Sequence, residues 1–198
     1  VDDIEDVVMT GCTIFDSNRA IGIISRDGGR FQRLRFSDIT FTCHYVNPCH
    51  WGRADPIFIS CRHRDTRVTP GSISQVSFSG LTGSAEGAIN LHSDIPGGIR
   101  HVRFSQIQFT QTASENPQQG SYDIRPPCNP ARPTGSGLDN AFLINPHTGE
   151  PWGVERYPGG LPALFSRGVT QLALDNLSIE RPTPLPGGWH TEPIVELP

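Results

Sequence analysis

The side chains able to bind or react are narrowly limited in this chain, because all 16 of its basic residues are arginine. Chemistry that needs a lysine nucleophile, a Schiff base or a phosphate-loop lysine is therefore outside its reach. Arg19, Arg26 and Asp27 bracket one apolar run, where guanidinium forks could grip a carboxylate or where an Arg–Asp pair could brace the Gly28–Gly29 turn. The cluster Arg62-His63-Arg64-Asp65 follows a second such run, and could extend an anion-facing surface or form a solvated loop of internal charge pairs. His92 follows a third and offers one hydrogen bond to a hydroxyl, the alternative being a surface histidine without a role. Trp51 and Trp152 stand in loop-like segments, as stacking platforms or as pins for their own loops, and Trp189 reads as structural.

The elements that must hold these groups are written in an eight-residue pattern: apolar, any, apolar, two small or polar residues, apolar, any, apolar. It occurs at Val7, Leu34, Val76, Val102 and Leu172, as VVMTGCTI, LRFSDITF, VSFSGLTG, VRFSQIQF and LALDNLSI. Gly83 replaces the last apolar residue of the third copy. Alternation with period two marks a strand. The phase slips at Thr10-Gly11, Ser37-Asp38, Ser79-Gly80, Ser105-Gln106 and Asp175-Asn176, which predicts two short strands joined by a tight bend in each copy. A third strand is predicted before three of the copies, in AIGIIS from Ala20, PIFISC from Pro56 and AINLHS from Ala88, each followed by a Gly-containing turn.

Successive copies start 27, 42, 26 and 70 residues apart. A basic coil of that length, twice lengthened by insertions at about 43–55 and 112–160, predicts an all-β, right-handed, single-stranded parallel β-helix with three strands per coil. The coils are expected over residues 1–180, with AFLINP from Ala141 as one possible strand inside the second insertion. The Pro-rich tail, residues 181–198, is expected to cross the last coil or extend away. Cys12 and Cys61 fall on inward phases and should be buried, while Cys43, Cys49 and Cys128 read as loop residues, the first two close enough in sequence to pair in an oxidising compartment. Asn176-Leu177-Ser178 is a formal glycosylation sequon that reads better as a stacked polar corner.

Charge and composition exclude other classes. A net charge of -4 with no basic stripe argues against nucleic acid, and no apolar run of membrane-spanning length is present. No Cys/His spacing matches a zinc site, and nothing calls for a cofactor. The opening Val1-Asp2-Asp3 reads as a processed chain or a piece of a longer one.

The stretch Asn18-Arg19-Ala20-Ile21-Gly22-Ile23-Ile24-Ser25-Arg26-Asp27-Gly28-Gly29, followed by FSDITF and then WGRADPIFIS, resembles the C-terminal half of family 28 glycoside hydrolases. These are the pectin-degrading polygalacturonases, rhamnogalacturonases and their exo-acting relatives. The resemblance covers about residues 1–110 and 161–180. It implies a secreted or periplasmic enzyme that hydrolyses an acidic, uronic-acid-containing glycan with inversion, using two carboxylates spaced widely enough to seat a water. The family's Asn-Thr-Asp, Asp-Asp and Gly-His-Gly motifs would precede Val1. Its Arg-Ile-Lys motif aligns with Gly22-Ile23-Ile24, which lacks both cations.

The chain is thus expected to supply the far side of a substrate groove through Arg19, Arg26, Asp27, Trp51, Arg62, His63, His92 and Trp152, with the catalytic aspartates upstream. Two other readings are a non-catalytic glycan-binding or structural solenoid and a polysaccharide lyase. The lyase would need an Arg or Lys base and often a calcium site of clustered carboxylates, and no such cluster appears. Nothing before Val7 resembles a cap, so a missing N-terminal half or a second chain is expected to cover the first coil.

Overall fold

The computed structural model describes residues 2–46, 52–63, 67–116, 119–124 and 144–198, and among them there is no helix. Thirteen strands among the described residues form two parallel sheets and one small antiparallel pair. The first parallel sheet contains β1 (Ile4–Glu5), β2 (Val8–Ser17), β4 (Arg30–Cys43), β6 (Ser72–Ala85), β8 (Ile99–Gln111) and β12 (Val169–Glu180). The second contains β3 (Arg19–Ser25), β5 (Asp55–Cys61), β7 (Ile89–Ser93), β11 (Leu164–Arg167) and β13 (Ile194–Leu197). From β2 onward the chain alternates between these two sheets. The exception is β9 (Ser121–Asp123) with β10 (Val154–Arg156), an antiparallel pair inside the second insertion.

Each eight-residue copy lies within one long strand, apart from Val7, which stands just before β2, since the hydrogen-bonded ladder runs through the bend. The bend is a single left-handed residue at Gly11, Asp38, Gly80, Gln106 and Asn176, the second member of every predicted corner step. A second left-handed column, one residue before each copy, comprises Asp6, Arg33, Gln75, His101 and Gln171. The pattern of two short strands plus a third is therefore realised as two ladders per repeat, the longer one bent twice. Glycine, Asn and Asp adopt this conformation most cheaply, which is why only the first column was visible as turn chemistry.

Both sheets contribute to one apolar core. Ile21, Ile57 and Ile89 from the second sheet pack in the same cluster as Leu34, Val76 and Val102 from the first. Like side chains stack on like across the ladder. The Phe36 and Phe78 ring centroids are 5.1 Å apart and those of Phe78 and Phe104 are 4.9 Å apart, both nearly parallel. That spacing is the inter-strand repeat itself. A second column, Phe41, Gly83 and Phe109, is interrupted at Gly83, where a Cβ would lie 2.1 Å from the Phe41 carbonyl oxygen.

The two sheets are offset by one strand. Among the described residues, β1 and β2 precede β4 with no counterpart beneath β3, while β13 lies beyond β11 with no counterpart beyond β12. The uncovered side of β3 opens on an apolar cleft of about 480 Å³ lined by Ile4, Val7, Ile23, Ile24, Phe31 and Leu34. At the far end, Glu196 occupies the inward column of Ile23, Ile59, Leu91 and Ser166.

Several local expectations are corrected. Cys43 is a buried strand residue at the end of β4, where burial pushes its thiol up to about 12. Its suggested partner Cys49 lies outside the described residues, as does Cys128. Cys61 is buried as expected, whereas Cys12 is only partly buried because β2 is an outermost strand. The tail ends in β13, which pairs with β11 in parallel and adds a strand to the second sheet. Ile144 makes an antiparallel bridge to Pro151 and so does not join the stacked sheets, while residues 141–143 lie outside the described residues.

Candidate functional site

Alternation along the second sheet turns Phe58, Ser60, Asn90 and His92 away from the main core. The sequence suggests that this face is open to solvent, but the second insertion roofs it. Tyr122 and Tyr157 pack on Phe165, with ring centroids 5.6 and 5.3 Å away, and Trp189 joins the same cluster. Asn90 donates from Nδ2 to the Tyr157 hydroxyl at 3.0 Å. His92 lies under this roof, 5.6 Å from the Tyr122 ring, and is only 2% exposed. Its expected place on an open groove wall is therefore corrected, because sequence alternation gives the direction of a side chain and not what lies above it.

At the start of the second-sheet strands, Arg19 is engaged by the protein itself. Its Nε and Nη2 donate to Asp55 Oδ2 at 3.0 and 2.9 Å, and its guanidinium lies 3.8 Å from the centroid of the Phe58 ring. Arg53, fully buried alongside, donates to Ser121 Oγ at 3.2 Å and approaches Asp123 at 3.6 Å. Burial raises the Asp55 carboxyl, with the Arg19 charge opposing that shift. These groups clamp the first insertion and the β9–β10 roof to the sheet.

The opposite end of the sheet is open. Ser25, Cys61 and Ser93 are in register, so Arg26, Arg62 and Asp94 follow one another at equivalent positions on successive strands. Arg19 and Arg26, at opposite ends of β3, are separated by roughly 20 Å of extended chain. A cleft of about 300 Å³ is lined there by Arg62, His92, Asp94, Pro96, Glu155 and Arg167. Arg62 Nε contacts Asp94 Oδ1 at 3.0 Å, and its Nη1 lies 3.7 Å from Glu155 Oε1. Glu155 also accepts a hydrogen bond from the Tyr122 hydroxyl at 2.7 Å. Arg167 pairs in register with His92 and is exposed, with no carboxylate partner among the described residues. His92 Nε2 is 3.7 Å from Asp94, and its Nδ1 is buried without a hydrogen bond.

Of the sequence candidates, Arg62 and His92 line the cleft. His63 adjoins it through its backbone N–H, which donates to Asp94 at 3.4 Å, while its ring turns to the Val68 carbonyl. Arg26 lies one strand below Arg62, and Asp27 offers its carbonyl to the Gly71 N–H at 2.7 Å. Trp152 lines a neighbouring cleft of about 470 Å³ that shares Glu155 with the first. Trp51, Arg64 and Asp65 lie outside the described residues. Asp94, Glu155 and Arg167 make the cleft and were not selected from sequence. Asp94 follows the end of β7, and Glu155 reaches the site from a distant insertion. Comparison with protein-family models, with curated proteins and with solved structures finds no match for this chain.

Burial, reinforced by the nearby Arg62 charge, pushes the His92 imidazole down from 6.5 to about 3. Between those values the unfolded ring binds a proton that the folded ring refuses, so stability present at neutral pH is lost on acidification. The loss attributable to His92 approaches about 1.4 kcal/mol per pH unit. Urea unfolding of the wild type and His92→Phe from pH 7 to pH 4 should show the wild type losing stability more steeply. Parallel pH dependence would contradict the buried neutral ring.

Proposed function

We propose that this chain is a right-handed parallel β-solenoid that binds an acidic glycan, as part of a family 28-like inverting glycoside hydrolase. The observation that carries the reading is the Arg167 guanidinium, which has no carboxylate partner among the described residues and lines one cleft with Arg62 at the open end of the second sheet. A planar guanidinium with free donors is the side chain best suited to the carboxylate of a uronic acid. The alternation of two parallel ladders and their shared core support the solenoid. A secreted or periplasmic setting follows from a polymeric acidic substrate.

The catalytic carboxylates are assigned to a partner half of the hydrolase, whose last coil lays a parallel strand beneath β3. The apolar cleft there and the one-strand lead of the first sheet support that placement. Within the chain, Asp94 and Glu155 are both engaged by protein donors, which favours a second reading in which the chain binds glycan without cleaving it.

The test is calorimetric titration with oligogalacturonate and with a neutral oligosaccharide of equal length, together with an assay for new reducing ends. Salt-sensitive binding of the uronate alone, weakened at least tenfold by Arg167→Gln, is the expected result. Equal binding of the neutral sugar, or no binding of the uronate, would overturn the reading. Reducing ends appearing only when the partner half is added support the hydrolase over the binding module.

A further inference from the structure

We infer that the ligand site has two subsites, one holding a uronate carboxylate on Arg167 and the next stacking a sugar ring on Trp152, with Glu155 as their shared wall. The inference rests on the acidic-glycan reading above and adds a minimum ligand length of two units.

Four observations carry it. The two clefts, of about 300 and 470 Å³, are both bounded by Glu155. Their cations differ in availability: Arg167 has no carboxylate partner among the described residues, whereas Arg156 in the second cleft is held by Glu150 and by the Gln119 carbonyl, each at 3.2 Å. The first cleft therefore offers a charge to an anion, and the second offers the Trp152 ring among the polar side chains of Asn145, Thr148, Glu150, Glu155 and Arg156. The buried His92 at the first cleft adds an Nδ1 that no protein group satisfies, a feature native interiors rarely leave without a partner.

Trp152 is also held in a fixed place. Val154 N–H donates to the Pro151 carbonyl at 3.0 Å, which closes a turn with Gly153 at φ 88° in its third position. A turn of that type requires the positive φ that glycine tolerates. Asn145 N–H to the Glu150 carbonyl at 2.8 Å and the Ile144–Pro151 bridge fasten the turn from the other side. An aromatic ring on a fixed turn stacks a sugar at low entropic cost. Trp152 and Glu155 are three residues apart, so their backbones are separated by at most roughly 10 Å, within the reach of a disaccharide.

The experiment titrates galacturonate monomer and dimer into the wild type, Trp152→Ala, Trp152→Phe and Arg167→Gln, with each variant's fold checked by circular dichroism. The wild type should bind the dimer at least tenfold more tightly than the monomer. Trp152→Ala should erase that gain while leaving monomer affinity unchanged, Trp152→Phe should restore part of it, and Arg167→Gln should weaken both ligands at least tenfold. No gain from monomer to dimer, or equal weakening of both by Trp152→Ala, overturns the two-subsite arrangement and leaves acidic-glycan binding standing. Failure of the wild type to bind either ligand overturns the acidic-glycan reading itself.

Discussion

Replacing Arg53 by alanine is expected to destabilise the protein by about 3–5 kcal/mol, the usual effect of removing one partner from a buried charge pair. Arg53 is the largest fully buried side chain, and Asp123 opposite it is equally enclosed. The truncation removes a cation from beside a carboxylate that cannot reach solvent, and it leaves Ser121 Oγ without that donor. For a chain of this size the expected fall in melting temperature is roughly 6–20 °C. Arg53→Lys keeps the charge but not the fork, so it should fall between the two. A thermal melt of Arg53→Ala within a degree or two of wild type would show that the clamp contributes little. Because Arg53 ties the first insertion to the roof, loss of the roof should appear first, as exposure of Tyr122 and Tyr157 in near-ultraviolet circular dichroism.

A second large effect is expected at Gly71. A Cβ at this position would sit 1.5 Å from the Gly29 carbonyl oxygen and 3.0 Å from that of Asp27. These are backbone atoms of the adjacent turn, so no side-chain rotation can relieve the clash. Gly71→Ala must push two stacked turns apart and strain the 2.7 Å hydrogen bond from the Gly71 N–H to Asp27. The expected loss is about 3 kcal/mol or more, at the upper end of overpacking effects. Gly28 supplies the control: it lies in the same turn, yet a Cβ there meets nothing within 4 Å. Gly28→Ala should stay within about 0.5 kcal/mol of wild type. Similar denaturation midpoints for the two variants would refute the stacking of the turns.

The contrast between these glycines marks what was legible in the sequence. The repeat, the inward apolar columns and the left-handed corner at Gly11, Asp38, Gly80, Gln106 and Asn176 could be read because period and turn chemistry are local properties. The second left-handed column could not, since Arg33, Gln75, His101 and Gln171 give no turn signal and the parallel ladder around them imposes the conformation. The roof was missed for a different reason. The contacts between His92 and Tyr122, Asn90 and Tyr157, and Arg53 and Asp123 join segments about 30 to 70 residues apart, and no local pattern encodes that pairing. Of the candidate cleft, Arg62 and His92 were selected because they end regular strands, whereas Glu155 and Arg167 depend on where the insertion returns to the sheet.

The one-strand offset between the sheets also governs whether copies of the chain can polymerise. Two copies stacked end to end would bring β13 of one beneath β3 of the other, where the ladder register places Glu196 under Ile23. Burying that unpaired carboxylate in an apolar slot costs several kcal/mol. The same open edge that would accept a strand with an apolar residue at that position therefore rejects the chain's own last strand. An inward charge of this kind is a known guard against edge-to-edge growth. In that register Glu196 would oppose end-to-end growth, and Glu196→Val is expected to raise the sedimentation-velocity mass above that of the wild type.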